Sequence, residues 1–182
     1  MTGVQTCALP IWSRSKLVVD GDLREWGELA FDVQSPAEVL GHGVYRGPAD
    51  ASFRFDLRWD EEALYFGIDV RDDSVVSGAG LSAREQDHVA VLVDARPDPE
   101  RSENMGLFAA IRSGAMAELV NLWVTLDEAR SDEVMRLFVG DQAEGIQRAA
   151  RRTSRGYAVE ASIPRSVLDQ RRGAVWDLSL SG

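Results

Sequence analysis

With 182 residues the chain fits one domain, long enough to bury a core, and its 45% hydrophobic and 27% charged residues are ordinary for a globular protein. The net charge of −10 excludes nucleic acid as a partner, because a polyanion is bound through a basic surface that displaces condensed counterions. No apolar run approaches the roughly 18–20 residues that cross a bilayer, which excludes membrane insertion.

Met1 to Ile11 reads as the in-frame translation of a sequencing adapter, and is set apart from the domain, which then covers residues 12–182. A secretory leader is the competing reading. It lacks a basic start, and Gln5, Thr6 and Pro10 break its apolar stretch. Setting the segment apart also removes Cys7, the sole cysteine, so no disulfide, thiol nucleophile or cysteine metal site is expected.

The domain opens on Val19-Asp20-Gly21-Asp22-Leu23-Arg24-Glu25-Trp26, where Gly21 permits a tight turn and Trp26 supplies a large apolar anchor. Ser35 to Asp50, rich in Gly, Pro and polar residues, reads as a long loop. In Phe53–Trp59 the residues Phe53, Phe55, Leu57 and Trp59 alternate with polar ones, and period two predicts a half-buried strand. A turn at Asp60-Glu61-Glu62 leads to a second strand with Leu64, Phe66, Ile68 and Val70 on one face. The two are expected to form an antiparallel hairpin.

His88–Asp94 is apolar on both faces and predicts a central strand. Further strands are expected at Leu107–Ile111, Leu119–Leu126, Val134–Val139, Ile146–Arg151, Tyr157–Ile163 and Val175–Leu180, with a loop or single turn over Asp127–Glu133. Helix is limited to one short turn at Pro164–Asp169, with Pro164 in the first helical position. About nine short strands at this spacing predict an all-β fold, a two-sheet antiparallel sandwich of jelly-roll type. The last expected strand runs almost to Gly182, so a truncated carboxyl end is expected.

Four blocks carry a family resemblance. They are Val19–Trp26; Leu57–Phe66 with Val70-Arg71-Asp72-Asp73; Glu85–Asp94, which begins Glu-Gln-Asp; and Gly156–Pro164, which ends Ile-Pro. In this order they resemble the family 9 carbohydrate-binding modules and the wider group of β-sandwiches that includes the DOMON domains. The resemblance implies a non-catalytic binding or positioning module for a polysaccharide or oligosaccharide. It also implies an extracellular or periplasmic location and covalent attachment to other domains of a secreted protein.

Sugar-binding members carry a tryptophan just before Glu-Gln-Asp and an acidic residue three places after the Asp; here those positions are Arg84 and Ala90. An arginine on the following strand is matched by Ala109. The resemblance therefore marks Arg84 and Gln86 as ligand-side positions but also leaves open a sandwich that has lost sugar recognition and serves as a spacer or protein-interaction element. Trp123 shares the polar face of its strand with Asn121 and Thr125, where an aromatic ring is a candidate sugar platform; the plainer reading is that a loop covers it.

Asp72, Asp73, Glu85 and Asp87 flank the loop 74–84, and hard carboxylates from two strand ends are the ligand type calcium needs. Members of the family bind calcium structurally, and Asp72 and Asp87 are the candidate ligands here; no organic cofactor is expected. A haem b sandwich held through Met105, Met116 and His88 is a further alternative, without diagnostic ligand spacing. His42 sits apart in the Gly-rich loop. Catalysis is not expected, because no serine or cysteine lies in a nucleophile motif and the chain has two histidines. The basic cluster Arg148, Arg151, Arg152 and Arg155 reads as a solvated strand edge.

Overall fold

The computed structural model describes residues 11–13, 17–34, 45–82, 85–93, 120–127, 131 and 144–172. Among the described residues eight strands form two sheets. They are β1 (Ile11–Trp12), β2 (Phe31–Val33), β3 (Ser52–Trp59), β4 (Ala63–Arg71), β5 (His88–Val93), β6 (Val120–Thr125), β7 (Gln147–Thr153) and β8 (Gly156–Pro164). A 3-10 turn covers Leu23–Trp26, and helix α1 covers Arg165–Arg172. The larger sheet runs β1-β3-β4-β8-β7, with β2 also on β3; the smaller pairs β5 with β6.

The expected all-β sandwich is what forms, and the hairpin register follows from alternation. Phe55 faces Ile68 across β3–β4, and Leu57 faces Phe66. Asp60 closes the turn by accepting hydrogen bonds at Oδ1 from the amides of Glu62 (2.8 Å) and Ala63 (2.9 Å). The expected strands at 107–111, 134–139 and 175–180 lie outside the described residues.

Three expectations differ from the structure. Pairing is not wholly antiparallel, because β1 lies parallel to β3, and it uses Ile11 from the stretch set apart as adapter. Pro164 ends β8 opposite Ala63 instead of opening a helix, and α1 begins at Arg165 and runs two turns. Its missing N–H is tolerated there because β7 pairs with β8 only as far as Ser162. Ala90 on β5 is exposed, so one face of the expected central strand is open at that position; among the described residues β3, β4 and β8 each lie between two partners, and β8 is buried from Gly156 to Ile163.

The core lies between the sheets. Phe66, Ala161 and Ile163 of the larger sheet meet Val120 and Leu122 of the smaller, and Val167 and Leu168 of α1 close one end. Beside them, Ile68, Tyr157 and Val159 meet Val124. The Ile-Pro strand end is thus followed by an amphipathic helix whose apolar side completes the core, while Arg165 and Ser166 stay exposed.

The other face of the larger sheet is covered by the chain from Leu17 to Leu29. Trp26, 3% exposed, packs with Leu17, Leu29 and Tyr65 and lies flat over Gly67, where a Cβ would sit 2.6 Å from the indole. Burying an indole removes about 150–250 Å² from water, a gross stabilisation of about 4–6 kcal/mol.

Beneath this segment lies Glu160, 1% exposed. Its Oε2 accepts the amides of Asp20 (3.0 Å), Gly21 (2.6 Å) and Asp22 (3.1 Å), and its Oε1 accepts Trp26 Nε1 at 2.6 Å. The turn that aims three successive amides at one oxygen needs Gly21, at φ 81° and pressed against Arg151. Burial pushes the Glu160 carboxyl above its ordinary range, with the Trp26, Asp20 and Gly21 donors pulling the other way.

Replacing Glu160 with alanine leaves four donors without an acceptor, the Gly21 amide and the Trp26 indole fully buried and those of Asp20 and Asp22 partly so. The Glu160→Ala variant is expected to lose at least about 3 kcal/mol of unfolding free energy, measured by urea denaturation. A loss below about 1 kcal/mol would show that water or another group takes over the acceptor role.

Candidate functional site

The arginine cluster is engaged in bridging. Arg151 pairs with Asp22 (3.1 Å), Arg152 donates to Ser77 Oγ (2.9 Å) and Arg155 lies 3.8 Å from Asp69. Charged side chains on β7 suit a strand at the end of the sheet, as expected.

The Glu-Gln-Asp triplet enters β5, and each member clamps the preceding loop. Glu85 Oε2 accepts Ser82 N (2.9 Å) and Ser82 Oγ (2.7 Å), and those donors hold its carboxyl below the usual range. Gln86, 3% exposed, accepts Gly78 N at Oε1 (3.3 Å) and donates Nε2 to Leu81 O (3.4 Å). Asp87 Oδ2 accepts Val76 N (2.5 Å), and its amide donates to Val76 O (2.9 Å). Gln86 is therefore buried in loop contacts, while Arg84 lies outside the described residues.

Asp72 and Asp87 do come together. Asp72 Oδ1 accepts Ser74 N at 2.7 Å, and burial, followed by the neighbouring Asp87 charge, pushes the Asp72 carboxyl above its ordinary value. Both acids face Tyr157, whose phenol is pushed up first by burial and then by the charges of Asp87 and Asp72. Asp73 turns away to Arg46 (3.0 Å), and Glu85 is held by Ser82. Among the described residues no three His, Cys, Asp or Glu side chains stand close enough to hold a metal by themselves.

The acid pair helps to line a groove of about 1000 Å³, together with Phe53, Phe55, Phe66, Val89 and Val91. Its walls include the inner face of β3–β4 and residues of β5, so it continues the core space between the sheets, and Asp72, Gln86 and Asp87 supply polar groups to it.

The outer face of β5–β6 differs in character. Val89, Val91 and Val93 point inward with Val120, Leu122 and Val124, which leaves His88 and Ala90 outward, opposite Thr125 and Trp123. Trp123 is half-buried, and the His88 imidazole stacks on it with centroids 3.7 Å apart and planes at 16°. The exposed aromatic expected at Trp123 is in fact one half of an imidazole–indole pair. The plain signal for it was cross-strand pairing: His88 lies two pairs along the register from the Ala90–Trp123 pair, diagonal to Trp123 and within reach of a large ring.

Of the residues named for haem, only His88 lies in the described part; Met105, Met116 and His42 lie outside it. His88 Nδ1 lies 2.9 Å from the Gln86 carbonyl oxygen. Thr125 is buried, and its hydroxyl donates to Asp127 O (2.6 Å) while accepting Asp127 N (3.0 Å).

A two-sheet sandwich with a clamped loop and an aromatic pair on its outer face defines a binding domain of the carbohydrate-binding-module type. The chain belongs to the carbohydrate family 9 binding domain-like family, whose model matches residues 19–180. It is similar in fold to a family 9 carbohydrate-binding module from Caldicellulosiruptor kristjanssonii solved with cellotriose, at TM-score 0.50 and 19% identity, covering 86% of this chain and 67% of that one. The same holds for the glucose complex of a family 9 module from that organism, at TM-score 0.51 and 19% identity, covering 87% of this chain and 70% of that one. No curated protein matches the chain.

The Asp72–Asp87 pair predicts a pH dependence. The folded Asp72 carboxyl binds its proton more readily than in the unfolded chain, so its contribution to stability is fully present at acid pH and is lost as pH rises through the raised folded value. In metal-free buffer Asp72→Asn, which can still accept the Ser74 amide, is expected to raise the melting temperature at pH 7 and leave it unchanged below pH 3. Thermal melts across that range check this, and a lowered melting temperature at pH 7 would contradict it.

Proposed function

We propose that this domain is a non-catalytic module that binds a glucan oligosaccharide on the outer face of β5–β6. The observation that carries the reading is the His88–Trp123 stack beside exposed Ala90, a flat aromatic edge next to a small residue. Stacking against such a surface supplies on the order of 1 kcal/mol per contact, a large share of the affinity of a shallow sugar site. Family membership and the cellotriose and glucose complexes of the Caldicellulosiruptor modules support the ligand class. Arg84, adjoining the clamp, is assigned to the same ligand side from the family pattern, whereas Gln86 acts through the loop that it holds.

Calorimetric titration with cellotriose tests this. Trp123→Ala is expected to weaken binding about five- to tenfold, with Trp123→Phe falling between that and the native chain. Retention of full affinity by a folded Trp123→Ala chain removes the platform. The buried amide of Gln86 and the alanine at position 90 favour a second reading, a sandwich that serves as spacer or protein-interaction element. That reading is preferred if the native chain retains neither cellotriose nor an insoluble glucan.

The same reading places the module outside the cytoplasm, attached to further domains of a secreted protein; among the described residues no helix is long and apolar enough to cross a membrane. A structural calcium ion is proposed at Asp72 and Asp87. The two carboxylates repel one another, which a cation relieves, and backbone carbonyls and water would have to complete the six to eight oxygens that calcium takes. Adding millimolar calcium to chelator-treated protein is expected to raise its melting temperature by several degrees, and to do so far less in Asp87→Asn. An unchanged native melting temperature rejects the site.

A further inference from the structure

Resting on the glycan reading above, we propose that His88 is a specificity-determining residue of the β5–β6 face, where its Nε2 accepts a hydrogen bond from a sugar hydroxyl. A carbonyl oxygen has no hydrogen, so the 2.9 Å contact between His88 Nδ1 and Gln86 O requires Nδ1 to carry the proton. In the neutral ring Nε2 is then a lone-pair acceptor. No described residue donates to it.

The ring is held at two points. The Gln86 carbonyl fixes its tautomer, and the Trp123 indole fixes its plane. Gln86 is itself immobilised by Gly78 N and Leu81 O, so the loop clamp is the support that orients the imidazole. Because the two ring planes are within 16° of parallel, the Nε2 lone pair lies to the side of the stack and not against the indole. Thr125, opposite His88, does not compete for that lone pair, since its hydroxyl already donates to Asp127.

Next to His88 on the same face stands exposed Ala90, whose small side chain leaves the space over the strand open. A pyranose seated there meets the edge of the aromatic pair and an acceptor of fixed direction. That acceptor admits a hydroxyl donor in the plane of the imidazole and disfavours a group that offers only a lone pair. It supplies, from the neighbouring position, the kind of acceptor that an acidic side chain at 90 would provide.

The test compares the native chain with His88→Phe, which keeps a ring for stacking without an acceptor, and with His88→Gln, whose amide oxygen restores an acceptor near the position of Nε2. Titration with cellotriose is expected to show a loss on the order of five- to tenfold for His88→Phe and recovery to within about twofold for His88→Gln. Nitrogen-15 spectra of the native imidazoles, with His88 assigned by its absence from His88→Gln, are expected to show the Nδ1–H tautomer at neutral pH. Native binding with undiminished affinity in a folded His88→Phe overturns this inference and leaves the glycan reading standing. An Nε2–H tautomer also overturns it. Absence of native cellotriose binding overturns the glycan reading, and with it the role given to His88.

Discussion

A single buried carboxylate organises the larger sheet. Glu160 sits in the middle of β8, which has a partner strand on each side, and points away from the inter-sheet core. A buried carboxyl there is tolerated only when its oxygens find donors, and the amides of Asp20, Gly21 and Asp22 and the Trp26 indole supply them. The consequence is mechanical: the amino-terminal segment lies across the sheet, Trp26 seals Gly67, and a sheet with one core face becomes a buried layer with two.

That constraint gives a physical reason for the spacing of the opening motif. Asp-Gly supplies a left-handed turn whose amides converge on one oxygen, and five residues on, past the 3-10 turn, the indole reaches the other oxygen of the same carboxylate. The turn is further pinned by Asp22, which caps the 3-10 segment and holds Arg24 and Arg151; its carboxyl is kept low first by the Arg24 side chain and then by its amide. Motif and acid lie 134 residues apart along the chain at Trp26 and Glu160, yet form one hydrogen-bonded unit.

The smaller sheet is governed by a different device. Its first strand is positioned by Glu85, Gln86 and Asp87, which bind back to Ser82, Gly78, Leu81 and Val76 and so tie the preceding segment to the strand. This places the outward residues of β5 reproducibly beside those of β6. The Asp72–Asp87 pair and Tyr157 lie at the junction of the two sheets, where burial and like charge combine. The site and the scaffold are therefore continuous: a family motif with the look of a ligand set does its work largely through backbone amides.

Much of this was legible in the residues. Period-two alternation located β3, β4 and β6 to within one or two residues, because a half-buried strand must place every second side chain inward, and Asp60 marked the turn between β3 and β4. The hairpin, the anchoring role of Trp26 and the acidic pair were readable in the same local terms. What alternation could not reveal was the partner of each outward face. Glu160 reads as an ordinary polar position on a strand, and its burial comes from a segment far away in sequence; Gln86 reads as a ligand residue, and its amide is engaged by a loop. His88 and Trp123 are separated by 35 positions, and only the β5–β6 register stacks them. Local sequence determines which way a side chain points along its strand, whereas long-range pairing decides what it meets there, because that depends on how distant strands are brought into register.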